Sequence, residues 1–401
     1  MISSDQINQL LTRRVAKILP NKEGLGKLLH SGKKLRIYQG FDPTGARLHL
    51  GHTVGLRKLM EFANLGHEVI FLFGTGTVLV GDPSLRAEAR KLITQKEIDE
   101  NIKDWKRQVS PIVDFSKITI KQNGDWLTKL TLKDIIKIAS NISAVQLFKR
   151  ESFTRRIKEG NTVWYHETMY PLLQGYDSVA MDVDLEIGGT DQEFNMLVGR
   201  ELQRKMNQRE KFVLTTPMIL GTNGGQMSKT SGNCIWLTDS AQDMFGKLMG
   251  LPDEQIIAYM ELVTDIPLER IREVGKQLAA GKLHPMAAKK ELALSVAKQF
   301  HGEAKAQDAQ KHFESTVQQK AAPANISTVS LPVNQASLFE ICKMARVGES
   351  HSQIKRTIEQ GGVSLNDKKI TDPNEPITIK DGDILKFGKR DFLKLIVKPK
   401  I

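Results

Sequence analysis

Leu35-Arg36-Ile37-Tyr38-Gln39-Gly40-Phe41-Asp42-Pro43-Thr44-Gly45, then Leu48-His49-Leu50-Gly51-His52, then apolar residues at Leu56, Leu59, Met60, Phe62 and Leu65, is the stretch that sets the architecture. It reads as a short apolar strand over 35–38, a turn over 40–45, a helix start at the two histidines and a helix over 52–65. Glu68-Val69-Ile70-Phe71-Leu72-Phe73, ending at Gly74, is the next strand. Strand, helix and strand at this spacing make a βαβ unit and a parallel sheet. Ligands of such sheets bind beyond the carboxyl ends of the strands, where residues 40–52 and Gly81-Asp82-Pro83-Ser84 fall. The unpaired N–H groups and positive dipole end of a helix start favour a phosphate there. Two imidazoles one turn apart add donors on one face, and Gly51 leaves the backbone bare for a flat ring such as adenine. A lone His-x-x-His is more often a helix cap without a ligand, so the other motifs in the chain carry weight.

Together with Gln226-Met227-Ser228-Lys229-Thr230, this stretch resembles the HIGH and KMSKS signatures of class I aminoacyl-tRNA synthetases, the two pieces of an ATP-activating site. Tyr170-Pro171-Leu172-Leu173-Gln174-Gly175-Tyr176-Asp177 and Glu186-Ile187-Gly188-Gly189-Thr190-Asp191-Gln192 look like the tyrosyl-tRNA synthetase family, and the likeness runs in order over nearly the whole chain. The resemblance implies an α/β fold of bacterial type. A Rossmann-like nucleotide-binding parallel sheet is followed by a helical domain and a small α+β S4-type RNA-binding domain.

Composition bounds the same answer independently. The 401 residues exceed one typical domain, and the net charge of +12 fits a polyanionic partner. No stretch approaches the roughly 20 apolar residues of a membrane span, and the amino terminus has no signal-peptide pattern, so no membrane partner is expected. Cys234 and Cys342 stand far apart without metal-ligand spacing, which fits a reduced cytoplasm. The expected organisation is a catalytic domain over 1–232 with a connective insertion over about 87–168, a helical anticodon-binding domain over 233–320, a linker over 321–332 and the S4-type domain over 333–401. By resemblance the connective region pairs two chains as a homodimer. In the tail, Ser350-His351-Ser352-Gln353-Ile354-Lys355-Arg356-Thr357-Ile358-Glu359-Gln360-Gly361-Gly362-Val363 with Asn366-Asp367-Lys368-Lys369 resembles the S4 pattern, so Lys355, Arg356, Lys368 and Lys369 are candidate phosphate partners.

Tyr170, Gln174 and Asp177, spaced i, i+4, i+7, share one helix face within about 60°. A phenol, an amide and a carboxylate make a poor core stripe and a good recognition surface. By resemblance, Asp177 and Tyr38 bond the phenolic hydroxyl of L-tyrosine, Tyr170, Gln174 and Asp82 hold its α-ammonium, and Gln192 lines the same pocket. A site built to bond a hydroxyl penalises its absence, which excludes phenylalanine. Gly189 and Asp191 fall to the adenosine ribose, and Gly40, Asp42, Gly51, Gln226, Met227, Ser228 and Thr230 to ATP. Thr44, His49, His52 and Lys229 meet the phosphates. Asn123-Gly124-Asp125-Trp126-Leu127 is a further family-like stretch, with Trp126 read as core.

The implied reaction is attack of the tyrosine carboxylate on the α-phosphorus of ATP, followed by transfer of tyrosine to the 3′ end of tRNA(Tyr). Such transfer needs positioning and charge stabilisation more than acid-base chemistry. ATP enters as a substrate with Mg²⁺ on its own phosphates, and no tightly bound cofactor or protein metal site is expected. Gln226 departs from the family, whose signature begins with Lys, and Arg86 and Arg90 are candidate compensating cations. Glu193-Phe194-Asn195 departs from the Trp-Gly-Asn of many members and marks a subgroup. A tryptophan-specific relative would share both signatures, but Tyr38 with Asp177 argues against it. A weakened homologue that only binds RNA is favoured by Gln226 alone.

Overall fold

The computed structural model describes residues 2–82, 94–227, 232–318, 327–345, 350–366, 368–388 and 391–397. Two compact units divide the chain, Met1–Gln307 and Asp308–Ile401.

In the first unit, β1 (Lys17–Leu19), β2 (Arg36–Phe41), β3 (Glu68–Phe73), β4 (Thr119–Gln122), β5 (Leu185–Gly189) and β6 (Phe212–Thr216) form one sheet in the order β1-β6-β5-β2-β3-β4. All pairs from β6 to β4 are parallel, and β1 joins β6 antiparallel. Near-continuous apolar runs such as Val69-Ile70-Phe71-Leu72-Phe73 are buried throughout, as a parallel sheet covered on both faces requires. The chain leaves β2 towards β3 on one side and returns as β5 on the other, and this reversal opens a crevice beyond the strand ends.

β2 runs further than the expected 35–38. Gly40 and Phe41 are strand residues, not turn, because Leu72 and Phe73 of β3 pair with them and Phe41 stacks on Phe71 with ring centroids 4.9 Å apart. Helix α1 (Leu50–Asn64) starts two residues before the expected 52, with His49 in extended backbone as its N-cap. It sits close on β2: a Cβ at Gly55 would fall 2.4 Å from Gln39 Nε2. Helices α2 (Gln95–Val109), α3 (Tyr165–Met181) and α4 (Glu193–Asn207) complete the surroundings of the crevice. Helices α3 and α4 cross tightly at Gly175, where a Cβ would meet the Gly199 nitrogen at 3.0 Å.

Beyond the sheet, α5 (Ala241–Met249), α6 (Ile256–Val263), α7 (Leu268–Ala279) and α8 (Pro285–His301) follow the apolar periodicity, with a 3-10 turn at Asp253–Gln255 opening α6. This helical region belongs to the same compact unit as the sheet.

The second unit has a five-stranded sheet and a two-stranded one. β7 (Ser327–Leu331), β8 (Gln335–Ser337), β9 (Val363–Leu365), β10 (Lys368–Ile370), β11 (Pro376–Thr378), β12 (Ile384–Phe387) and β13 (Asp391–Val397) pair in the orders β10-β9-β12-β13-β7 and β11-β8. Helices α9 (Leu338–Ala345) and α10 (His351–Glu359) share its core, in which Leu338, Ile341, Ile354, Ile358, Val363, Leu385 and Leu395 are buried.

Candidate active site

The carboxyl ends of β2, β3, β5 and β6 and the start of α1 open on one cavity of about 380 Å³. Its wall includes Tyr38, Gly40, Asp42, Thr44, His49, Gly51, His52, Asp82, Tyr170, Gln174, Asp177, Gly189, Asp191, Gln192, Gln226 and Met227. Every tyrosine and ATP candidate among the described residues is therefore in one place. Arg86, Arg90, Ser228, Lys229 and Thr230 lie outside the described residues.

On one side of the cavity the two histidines lie against each other with ring centroids 3.9 Å apart. His52 Nδ1 folds back on the backbone of His49, 3.1 Å from its N and 3.2 Å from its O. Gly51 is bare for a local reason: a Cβ there would meet the His49 ring at 3.0 Å. The loop leading to His49 is gripped by three side chains of α2 at i, i+4 and i+7. Asn101 Nδ2 donates to Pro43 O at 2.8 Å, and Trp105 Nε1 donates to Gly45 O at 2.6 Å. Gln108 accepts from Leu48 N at 2.9 Å and donates to Ala46 O at 2.6 Å. On the far side of the loop, Leu50 N donates to Ile235 O and Leu237 N to Leu48 O, at 2.9 and 2.8 Å. Gln226 is exposed at the cavity wall, its carbonyl accepting from Asn233 Nδ2 at 2.9 Å.

On the other side, α3 lines up Tyr170, Gln174 and Asp177 as their spacing requires, and each is held by a neighbour. Tyr170 donates to Asp42 at 2.9 Å, and Thr77 donates to the other Asp42 oxygen at 2.7 Å. Gln174 donates to Glu186 at 3.2 Å and accepts from Asn195 at 2.9 Å. Asp177 is 2% exposed and accepts from Asn123 Nδ2 at 3.0 Å and Trp126 Nε1 at 2.9 Å. Trp126 is therefore more than the core residue its sequence position implies, since its ring packs on the core while its N–H serves a pocket carboxylate. Tyr38, expected to act with Asp177, has Ser178 Oγ as a hydrogen-bond partner at 2.9 Å. Gln192 donates to Asp82 at 2.8 Å and to Asp191 at 2.9 Å, and Arg150 reaches Asp82 at 3.3 Å.

The pocket is rich in carboxylates, which suits an ammonium group. Burial pushes the Asp177 carboxyl well above the usual carboxylate range, against the two donors that favour its charge. It raises Asp191 as well, with Asp82 adding to the shift. The phenols of Tyr38 and Tyr170 are raised by burial first and by nearby carboxylates second, so both remain protonated donors. Beneath the pocket, Lys211 is fully buried, paired with Glu186, and lowered by burial.

Sequence reasoning missed Asn101, Trp105, Gln108, Arg150, Ser178, Glu186 and Lys211. Asn123, Trp126 and Glu186 carried a signal, through the family-like stretches around them. The rest come from elements that meet only once the sheet is assembled.

In the second unit, Lys355 and Arg356 on α10 and Lys368 and Lys369 on β10 are all exposed. Helix α10 ends in a turn in which Gly361 takes φ +70°, with Gly362 N donating to Thr357 O and Gly361 N to Ile358 O, both at 2.8 Å. Lys369 crosses that turn, and a Cβ at Gly361 would lie 2.0 Å from its Cε.

Comparison with known proteins gives the family. The model of tRNA synthetases class I (W and Y) matches residues 30–318, and that of the S4 domain matches residues 338–384. The chain is 41% identical to the tyrosine–tRNA ligase of Carboxydothermus hydrogenoformans over 97% of each chain. It is 40% identical to that of Oleidesulfovibrio alaskensis over 98% of this chain and 99% of the relative. Among solved structures, the C-terminally truncated mitochondrial tyrosyl-tRNA synthetase of Coccidioides posadasii superposes with a TM-score of 0.64 at 22% identity, covering 77% of this chain and 92% of that one. The tyrosyl-tRNA synthetase of Archaeoglobus fulgidus, complexed with L-tyrosine, gives 0.59 at 22% identity, covering 77% and 98%. At these identities the two structures speak to the fold.

Proposed function

The chain belongs to the class I tRNA synthetases of the tryptophan and tyrosine type and is a tyrosine–tRNA ligase, and from that premise we propose how its residues divide the work. The carrying observation is the single cavity that gathers all the described candidates. Tyrosine enters with its hydroxyl between Tyr38 and Asp177 and its ammonium among Tyr170, Gln174 and Asp82, with Gln192 alongside. ATP lies over Gly51 with its ribose at Gly189 and Asp191 and its phosphates at Thr44, His49 and His52. Gly40, Asp42 and Met227 line the same space.

The tyrosine carboxylate attacks the α-phosphorus, a P–O bond forms, and the bond to the leaving pyrophosphate breaks. A ribose hydroxyl at the tRNA 3′ end then attacks the tyrosyl carbonyl and AMP leaves. His52 and Lys229 are donors for the charge that develops on the phosphates. Magnesium would come with ATP and would supply charge neutralisation at its phosphates. The carboxylates of Asp42, Asp82 and Asp177 are already engaged by Tyr170 and Thr77, Gln192 and Arg150, and Asn123 and Trp126, which fits a cation brought by the nucleotide.

Two copies work together, joined through the connective region, where Leu132, Ile136, Val145, Phe148, Ile157 and Trp164 are exposed apolar side chains. Ile136→Glu should shift a sedimentation profile from dimer to monomer, and an unchanged profile would remove this face from the interface. Residues 233–320 read the anticodon region and the S4-type unit grips RNA backbone. Cytoplasmic work fits the two cysteines, Cys234 and Cys342, both buried and far apart in the chain. Among the described residues no helix is long and apolar enough to cross a membrane.

ATP–pyrophosphate exchange driven by tyrosine, with tryptophan and phenylalanine run alongside, tests the assignment. Exchange with tyrosine alone is the expected result. Exchange with tryptophan would overturn the pocket, and none with any amino acid would overturn the activation chemistry.

A further inference from the structure

A fully buried ion pair under a polar pocket asks for an explanation. Lys211 is 0% exposed and Glu186 2%, and a pair at such depth is often no more stabilising than apolar residues of the same volume. The space for it is built deliberately: a Cβ at Gly199 on α4 would meet Lys211 Nζ at 2.7 Å and Ser178 Oγ at 2.9 Å. Glu186 lies directly beside Tyr38 across the β2–β5 pair. Lys211 Nζ donates both to Glu186 and, at 2.8 Å, to Ser178 Oγ.

The hydrogen inventory shows what anchors the phenol. An ammonium has no lone pair, so Ser178 Oγ can only accept from it. Ser178 keeps one proton, with Tyr38 Oη at 2.9 Å and Glu186 Oε2 at 3.4 Å as its partners. Glu186 is also a hydrogen-bond partner of Tyr38, so the phenol oxygen is tied to both ends of the buried pair at the wall of the cavity it lines. Building on the tyrosine pocket proposed above, we infer that Lys211 and Ser178 are positioning residues that hold Tyr38 Oη where it meets the substrate hydroxyl opposite Asp177. Glu186 serves as the counter-ion. Phenylalanine leaves Tyr38 and Asp177 facing each other without the hydroxyl that joins them.

The test measures kcat and KM for tyrosine, phenylalanine and ATP by pyrophosphate exchange with the full chain, for wild type, Ser178→Ala, Lys211→Met and Tyr38→Phe, with thermal unfolding of each. Ser178→Ala should lower the tyrosine-to-phenylalanine ratio of kcat/KM about tenfold, the equivalent of one hydrogen bond, through the KM for tyrosine and with the KM for ATP unchanged. Lys211→Met should lower the ratio in the same direction, and Ser178→Ala decides the matter if Lys211→Met does not fold. A ratio lowered by Tyr38→Phe but unmoved by Ser178→Ala would overturn the anchoring role and leave the pocket standing. A ratio that Tyr38→Phe also leaves unmoved would overturn the pocket, and the anchoring role with it.

Discussion

At the scale of the residue, Gln226 is the departure with a direct chemical consequence. An amide can bond pyrophosphate but cannot offset its charge, so Gln226→Lys should speed adenylate formation in single-turnover kinetics, and a rate no higher than wild type would exclude the charge argument. Lys229→Ala should slow the same step roughly 10²–10³-fold, as loss of one strong transition-state donor does. Lys58 offers a test in the folded state. It is fully buried against Leu10 O and Glu61, and burial brings its ammonium down to about 8. Because the folded pKa lies below the unfolded one, the unfolded chain binds more protons between those values, and this group's contribution to stability rises with pH from about 8 towards 10.5. Lys58→Met lacks that titration. Thermal unfolding should therefore show wild type gaining on the variant between pH 7 and pH 10, and a constant difference would refute the shift.

At the scale of the element, α2 matters more than its charged sequence indicates. Asn101, Trp105 and Gln108 are nearly buried and hold the loop before His49 by its backbone. The pattern was visible as a helix, but nothing in it showed that these side chains serve carbonyls 60 residues away. Gln108→Ala removes two of these bonds and leaves Ala46 O and Leu48 N without that partner. Such losses cost about 1–3 kcal/mol in a buried setting. The expected outcome is a lower melting temperature and a raised KM for ATP, with the tyrosine-to-phenylalanine ratio intact. A change in that ratio instead would place α2 at the wrong substrate.

At the scale of the molecule, the expected border near 232/233 falls inside one compact unit. Charged side chains explain the continuity. Arg14 Nε donates to Leu262 O at 2.9 Å, and Arg57 reaches Asp265 at 2.8 Å, so the amino-terminal segment and α1 are bound to the helical region. The carboxyl-terminal unit has its own core and its own exposed basic surface. Reversing Lys355, Arg356, Lys368 and Lys369 to Glu together should weaken tRNA binding and flatten its salt dependence by roughly one unit of slope for each lost phosphate contact. Tyrosine-dependent pyrophosphate exchange, which needs no tRNA, should stay at the wild-type level. An unchanged salt slope would take the RNA contact away from this surface.

The sequence alone determined what depends on local periodicity and composition: the βαβ unit around residues 35–73, the helix face of Tyr170, Gln174 and Asp177, the glycines at the cavity wall and the basic helix of the tail. These follow because side-chain direction repeats with the backbone, and a motif of a few consecutive residues carries its geometry with it. Only the tertiary structure decided that β2 continues to Phe41, that Asn123 and Trp126 turn to Asp177, and that Lys211 reaches Ser178 and Glu186. Strand pairing, helix crossing and the burial of charge join residues far apart in the chain, and such contacts leave no periodic trace in the order of the amino acids.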